Sequence, residues 1–371
     1  MRDLNYLGIH SKAPHKRGFL VVTKYMTNPE ISSAQGTEPL GDRFVTELNG
    51  ALQDMQVKRV VAQRATDSGD PMATIYWWPR EWEEGSHDPF ITCTIVGGQS
   101  KTVLEISNQH GCAAHCVMCG IPAFGSMRDL PLEATVEQIA ALRQLKPALG
   151  VLKNIPDSLL LSDGGDSLMR QDFEDYLSRL QGRGPFHRLK ISTLAIDVPR
   201  LRGNLETLLH VVPSSETLIR LQISLLSTNE DERQRLSGVR TIPIPDIGRY
   251  AERYYQADGR KLTLSFTVIA GTTVSPRELI ESSVDPDKVV IRVHYAKRNG
   301  VDTVTGFVSP TVEYLDALVG EFRQFFPDVR YARPDVFTMG RLENTGTLSW
   351  MNQEEIQNLQ NNWRTLTKES E

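Results

Sequence analysis

The chain has 371 residues, of which 40% are hydrophobic and 23% charged, with a formal net charge of −5. That length holds one large domain and a smaller one, the composition is that of a soluble globular protein rather than a disordered one, and the net acidity excludes a chain-wide nucleic-acid surface. No run of about 18 apolar residues is present to span a bilayer, and the first 20 residues have no apolar core of signal-peptide length, so no membrane contact and a cytoplasmic location are expected.

In chain order, residues 1–98 are expected to form a small α+β accessory domain. It carries a helical stretch near 42–56, strand-like runs at 58–63 and 73–78, and the aromatic residues Tyr76, Trp77, Trp78 and Trp82. Such a cluster reads as a small core or a domain interface before it reads as a platform for stacking bases. Lys12, His15, Lys16 and Arg17 form a short basic cluster, read as a solvated tail; held against an active-site face, it would reach phosphates.

From Lys101 onward, short β-rich apolar runs alternate with amphipathic helical patterns, the sequence form of a parallel sheet built from βα units. Strands are predicted at 102–107, 158–162, 189–194, 219–226, 262–269 and 289–295. Helices are predicted at 132–145, 171–180, 200–211, 247–256, 276–281 and 312–325. The fold class is therefore α/β, a partial (β/α)6 TIM-like barrel over 99–345, with ligands expected at the carboxyl ends of the strands. A polar helix near 353–367, within 346–371, is expected to cap the barrel.

Cys112, Cys116 and Cys119 fall inside one eight-residue window just after the first barrel strand, in a chain with only four cysteines. Three thiolates at this spacing can meet three corners of one cubane iron–sulfur cluster, and no later cysteine exists to hold the fourth iron. An open iron can bind and activate a small molecule, as the open position of a catalytic zinc site does. Two other readings stand beside it: a zinc knuckle, which needs a fourth Cys or His and has His110 and His115 nearby, and a chance clustering of buried thiols. Three close thiols fit a reducing compartment better than a disulfide framework does, and Cys93 reads as a lone thiol packed in a strand.

Further along, Gly164-Gly165-Asp166 forms a turn after the second strand, where glycines let the backbone approach a ligand closely. Ser192 and Thr193 end the third strand, Ser224 sits near the end of the fourth, and His294 and Tyr295 end the sixth, all at the same mouth.

The cysteine spacing, with apolar Met118 before the last cysteine, is similar to the signature of the radical S-adenosylmethionine (SAM) enzymes. The order of the later segments resembles one branch of them, the RlmN and Cfr methyl synthases that modify adenine in RNA. Those segments are Asn108-Gln109-His110-Gly111 leading into Cys112, Asp166-Ser167-Leu168, Ser192-Thr193, the run from Leu221 to Asn229, Ile242-Pro243-Ile244, and the run from Phe266 to Gly271 followed by Ser275-Pro276. They cover roughly residues 100–345.

The resemblance implies a [4Fe–4S] cluster on Cys112, Cys116 and Cys119 whose fourth iron is chelated by the amino and carboxylate groups of SAM. It implies a reducing partner of the flavodoxin or ferredoxin kind, and a 5′-deoxyadenosyl radical that abstracts hydrogen from substrate. Gly164, Gly165, Asp166, Ser192, Ser224 and His294 then stand where SAM is bound. Glu105 and Tyr295 are the candidate catalytic residues, Glu105 as a general acid or base.

Two departures qualify the likeness. The branch carries one cysteine seven residues ahead of the cluster motif, where this chain has Glu105, and another near the C-terminus, where it has Met339 within Met339-Gly340-Arg341-Leu342. A thioether has no sulfur–hydrogen bond to ionise and cannot attack as a thiolate, so methyl transfer through two cysteines is not expected. The expected function is radical SAM cleavage followed by hydrogen abstraction from a small-molecule or nucleotide-like substrate, in a specialised biosynthesis. The alternatives are an RNA-modifying radical SAM enzyme and a non-catalytic metal-binding module.

Overall fold

The computed structural model describes residues 101–331 apart from 125–126, 148–154, 163, 184–185 and 297–304, together with Arg333 and the backbone of four earlier strands. Those four are β1 (Leu20–Thr23), β2 (Val57–Arg64), β3 (Pro71–Trp77) and β4 (Ile91–Gly97). The helix expected near 42–56, the basic cluster at 12–17, Trp78, Trp82, Met339 and the helix expected near 353–367 lie outside the described residues.

The six predicted barrel strands are present as β5 (Thr102–Ile106), β8 (Asp157–Leu161), β9 (Arg188–Thr193), β10 (Leu218–Leu225), β11 (Leu262–Val268) and β12 (Val289–Tyr295). A two-stranded ribbon, β6 (Gln109–His110) with β7 (Arg128–Asp129), brackets the cysteine loop. A seventh parallel strand, β13 (Val329–Tyr331), adds to β12. Sequence reading missed it because three residues carry no period. All the main strands belong to one sheet, in the order β1-β2-β3-β4-β5-β8-β9-β10-β11-β12-β13, parallel from β5 to β13 and antiparallel from β2 to β5. The earlier strands thus continue the barrel sheet through the pairing of β4 with β5.

The predicted helices follow as α1 (Leu132–Leu145), α2 (Phe173–Gln181), α3 (Pro199–Val211), α5 (Ile244–Asp258), α6 (Pro276–Glu281) and α7 (Val312–Phe325). Between β10 and α5 lies one that was not predicted, α4 (Glu230–Ser237). Its sequence, Glu-Asp-Glu-Arg-Gln-Arg-Leu-Ser, has no apolar stripe. Its ends were legible, however: Asn229 caps the Glu232 amide at 2.9 Å, three acidic residues fill the first turn, and Gly238 closes the helix at φ +66°. No helix among the described residues is long and apolar enough to cross a membrane.

Period two decides which strand residues meet the helices. On β9, Leu189 and Ile191 are buried against the helical layer; on β10 Ile219, Leu221, Ile223 and Leu225, and on β11 Leu262, Leu264, Phe266 and Val268, do the same. Each such side chain contributes about 1.5–3 kcal/mol on leaving water. The opposite row is polar: Lys190 and Ser192 on β9, Gln222 and Ser224 on β10, Ser265 and Thr267 on β11, Arg292 and His294 on β12. A lumen filled only for stability would carry branched apolar side chains there, so this inner row marks the barrel interior as a site.

Candidate active site

The cysteine loop leaves β5 through Ser107 and Asn108, both buried, and is fixed from three sides. Arg170 is fully buried over the Tyr176 ring at 3.9 Å and donates to the carbonyls of Asn108 (2.6 Å) and Leu130 (2.9 Å), while Asp172 balances its charge at 2.8 Å. On the far side, the amides of His115 and Val117 donate to the carbonyls of Ser237 (2.8 Å) and Leu236 (2.9 Å), tying the middle of the loop to the last turn of α4. Thr305 donates its hydroxyl to the Val117 carbonyl at 2.8 Å. α4 therefore satisfies its terminal carbonyls with the loop that carries the thiols.

Gly238 is the tightest point of that contact, because a Cβ built on it would lie 2.8 Å from the Cβ of His115. Gly259, which closes α5 at φ +76°, has the same backbone strain and nothing within 4 Å. Gly238→Ala and Gly259→Ala are each expected to lose on the order of 1 kcal/mol from the left-handed cap. Only Gly238→Ala is expected to lower iron content after reconstitution, by about half or more. Equal iron in both variants would mean that α4 does not position the loop.

The turn at Gly164-Gly165-Asp166 packs against the same loop. A Cβ on Gly164 would sit 2.5 Å from the Gln109 carbonyl and 2.7 Å from Ser107 Oγ, and one on Gly165, at φ +75°, would overlap the Gln109 side chain. The glycines are thus required by the chain's own loop. The Asp166 amide donates to Gln109 Oε1 at 2.9 Å, and Gln109 Nε2 donates to Asp129 at 2.6 Å. Both Asp166 oxygens are taken up: one accepts from the Leu168 amide (3.1 Å), the other from Thr193 Oγ1 and the Leu194 amide (each 2.8 Å). Burial pushes this carboxyl up to about 6, against the pull of those three donors.

Around these elements lies one cavity of about 440 Å³. Cys112, Cys116 and Cys119 line it together with Gly165, Asp166, Ser192, Ser224, His294, Tyr295 and Glu105. Of the residues expected to hold the cluster or SAM or to act in catalysis, Gly164 alone stands off the cavity wall, and neither His110 nor His115 lines it. Cys93 is fully buried on β4, opposite Ile106 and away from the cavity. Met118, Ile121, Leu160 and Leu226 supply an apolar part of the lining.

The donor set fits a cluster. Burial, and then the neighbouring Cys119, push the Cys112 thiol up to about 12 and the Cys116 thiol well above its ordinary range. Two thiols so raised, with Cys119 beside them, ionise together only around a strongly positive group, which a cluster of irons would supply while displacing their protons. No group of three His, Cys, Asp or Glu among the described residues is set for a single metal ion. A cubane asks instead that each thiolate meet a different iron.

Sequence reading missed Lys190, Arg292 and Gln222, which also line the cavity. Gln222 donates to Ser192 Oγ at 2.9 Å and accepts from the Arg292 guanidinium at 3.2 Å. Burial, followed by the charge of Arg292, pulls the Lys190 ammonium down to about 7, with Glu105 acting in the opposite direction. Arg292 is likewise lowered by burial and raised by Glu105. The signal for these residues was the period-two row that already contained Ser192, Ser224 and His294.

No protein-family model matches the chain. Over 182 residues it is 27% identical to a probable dual-specificity RNA methyltransferase RlmN of Rhodopirellula baltica, covering 49% of this chain and 47% of that protein. Over 192 residues it is 27% identical to the ribosomal RNA large subunit methyltransferase N of Nitrosopumilus maritimus, covering 49% and 50%. The chain thus matches about half the length of these relatives. Among solved structures it is similar to a radical SAM methyltransferase from Sphaerobacter thermophilus, with a TM-score of 0.57 at 18% identity over 82% of this chain and 86% of that one. At that identity the likeness speaks for the fold, and it agrees with the partial barrel.

Proposed function

We propose that this chain, related as it is to the radical SAM enzymes of the RlmN and Cfr kind, holds a [4Fe–4S] cluster on Cys112, Cys116 and Cys119 and cleaves SAM reductively. The observation that carries the reading is the meeting of three partly buried thiols with the polar strand ends of β9, β10 and β12 in one cavity. With both groups bound, one electron from a flavodoxin- or ferredoxin-type donor splits SAM into methionine and a 5′-deoxyadenosyl radical, which takes a hydrogen atom from substrate. Ser192, Ser224, His294 and the Gly165 backbone hold the polar groups of SAM, and Asp166 positions that turn through Leu168, Thr193 and Leu194. Glu105 serves as acid or base for the substrate, and Tyr295 contacts it at the rim. Three closely set thiols suit the reducing cytoplasm.

RNA is the substrate class that the relatives favour over the small molecule first expected, since their names describe RNA methyltransferases. The modification differs from transfer through two cysteines. The chain has four cysteines, of which three face the cavity and Cys93 is buried on β4, so none is left to carry a methyl group. A small acidic substrate is the second reading, favoured by Lys190 and Arg292 on the cavity wall.

The test is anaerobic turnover with dithionite, SAM and ribosomal RNA made with deuterated adenosine. Deuterium in the 5′-deoxyadenosine is the expected result for an RNA substrate. Formation of 5′-deoxyadenosine without deuterium, stimulated by a low-molecular-weight cell extract, moves the assignment to a small molecule. Failure to form it at all, with an intact cluster and several reductants, overturns radical chemistry.

A further inference from the structure

The inner rows of the barrel hold more positive charge than their one carboxylate can balance. Lys190 on β9 and Arg292 on β12 both face the cavity, each two residues before a rim residue, Ser192 and His294 respectively. Two residues of strand rise set them roughly 6–7 Å deeper than the rim. Gln222 lies between them, bonded to Arg292 at 3.2 Å and to Ser192 at 2.9 Å. Glu105 is the carboxylate that acts on both cations, whereas Lys101 and Arg330 add repulsion at Lys190, and Arg330 adds it at Arg292. Farther down the same rows, Arg188 and Arg220 each keep a buried Nε atom with no hydrogen-bond partner. The other acidic residue on the cavity wall, Asp166, is occupied by Leu168, Thr193 and Leu194.

Gathering like charges in a half-buried space is costly. The cost is offset when an anion enters, and a guanidinium fork beside an ammonium suits the paired oxygens of a carboxylate or phosphate. We infer that Lys190 and Arg292, with Gln222 between them, form an oxyanion-binding floor that takes the carboxylate or phosphate end of a small acidic substrate and leaves the rest of that molecule toward the cysteines. A polynucleotide phosphate is esterified on both sides and would have to drag two strand segments past the rim, whereas a terminal acidic group reaches the floor directly. The inference deepens the second substrate reading and rests on the cavity being the substrate chamber.

Calorimetry on the reconstituted full-length chain tests it, with SAM at saturation and inorganic phosphate, pyrophosphate or succinate as the titrant. The phosphate and succinate arms distinguish the two kinds of acidic end. The expected result is saturable binding in one arm, weakened about tenfold or more by Lys190→Met and by Arg292→Gln. Glu105→Gln is expected to tighten binding several-fold by removing a competing negative charge, which a poorly folded variant cannot imitate. The floor is overturned if neither arm binds, if both cation variants bind like the wild type, or if the anion binds only when SAM is left out, since the cations then hold the SAM carboxylate. Displacement of the probe by an RNA oligonucleotide overturns the small-molecule assignment. SAM binding without anion binding removes the floor and leaves the proposed function standing; anion binding without SAM binding does the reverse.

Discussion

Cys116→Ala is expected to yield a folded chain that cannot be reconstituted: acid-labile sulfide close to zero, no cluster absorbance, and 5′-deoxyadenosine at the level of a reaction without protein. The expectation follows from the cost of the site. Thiols pushed up to about 12, as Cys112 is, carry their protons at neutral pH, and only the irons make their release favourable. With one thiolate gone, two thiolates would have to hold a cluster with two open irons, too few to retain it. The fold itself has little reason to suffer. The backbone bonds from His115 to Ser237 and from Val117 to Leu236 do not involve the Cys116 side chain, and that side chain is only partly buried. Circular dichroism should therefore match the wild type while iron and sulfide fall together. A variant that keeps its sulfide and its 5′-deoxyadenosine would show that these thiols are not the cluster ligands. Zinc without sulfide in the wild type would return the site to the metal-binding-module reading.

The parts of the molecule that were legible in sequence are those where chemistry and period coincide. Three cysteines in eight residues have few structural explanations, and six apolar runs separated by amphipathic stretches have few arrangements other than a parallel sheet. Ser192, Ser224 and His294 were singled out because strand ends on such sheets are where ligands sit, and all three line one cavity. What escaped lay one pleat deeper. Lys190 reads in sequence as a charged residue inside an apolar run, and only the register of β9 beside β10 and β8 shows that it faces inward with Gln222 and Glu105. α4 escaped because its stability comes from its caps and from the cysteine loop rather than from an apolar stripe. The glycine turn was recognised, and the structure adds a close approach that the sequence did not show, to Gln109 and Ser107.

Lys190→Met is expected to stabilise the protein, by the most at pH 6 and by progressively less as pH rises. Lys190 sits in the folded chain at about 7, against an ordinary lysine value of 10.5, with burial as the largest cause and Arg292 next. A lysine lowered in this way favours the unfolded state whenever that state binds more protons. Below pH 7 the side chain is charged in both states and the whole penalty is present. Between pH 7 and 10.5 the folded form is neutral while the unfolded form is still protonated, so the penalty declines along that interval and is gone above it. The full penalty is on the order of a few kcal/mol, enough to move a melting midpoint by several degrees in a chain of this size. Methionine keeps most of the stem's apolar volume without the charge, so it should recover that amount at pH 6 and much less at pH 10. Melting of wild type and variant at pH 6, 8 and 10 checks the sign directly. A lower midpoint for Lys190→Met at pH 6 would mean that Glu105 and Lys190 form a net-stabilising pair, and the surplus of positive charge would vanish. A higher midpoint combined with weaker anion binding would be the signature of a residue retained for what it binds at the expense of stability.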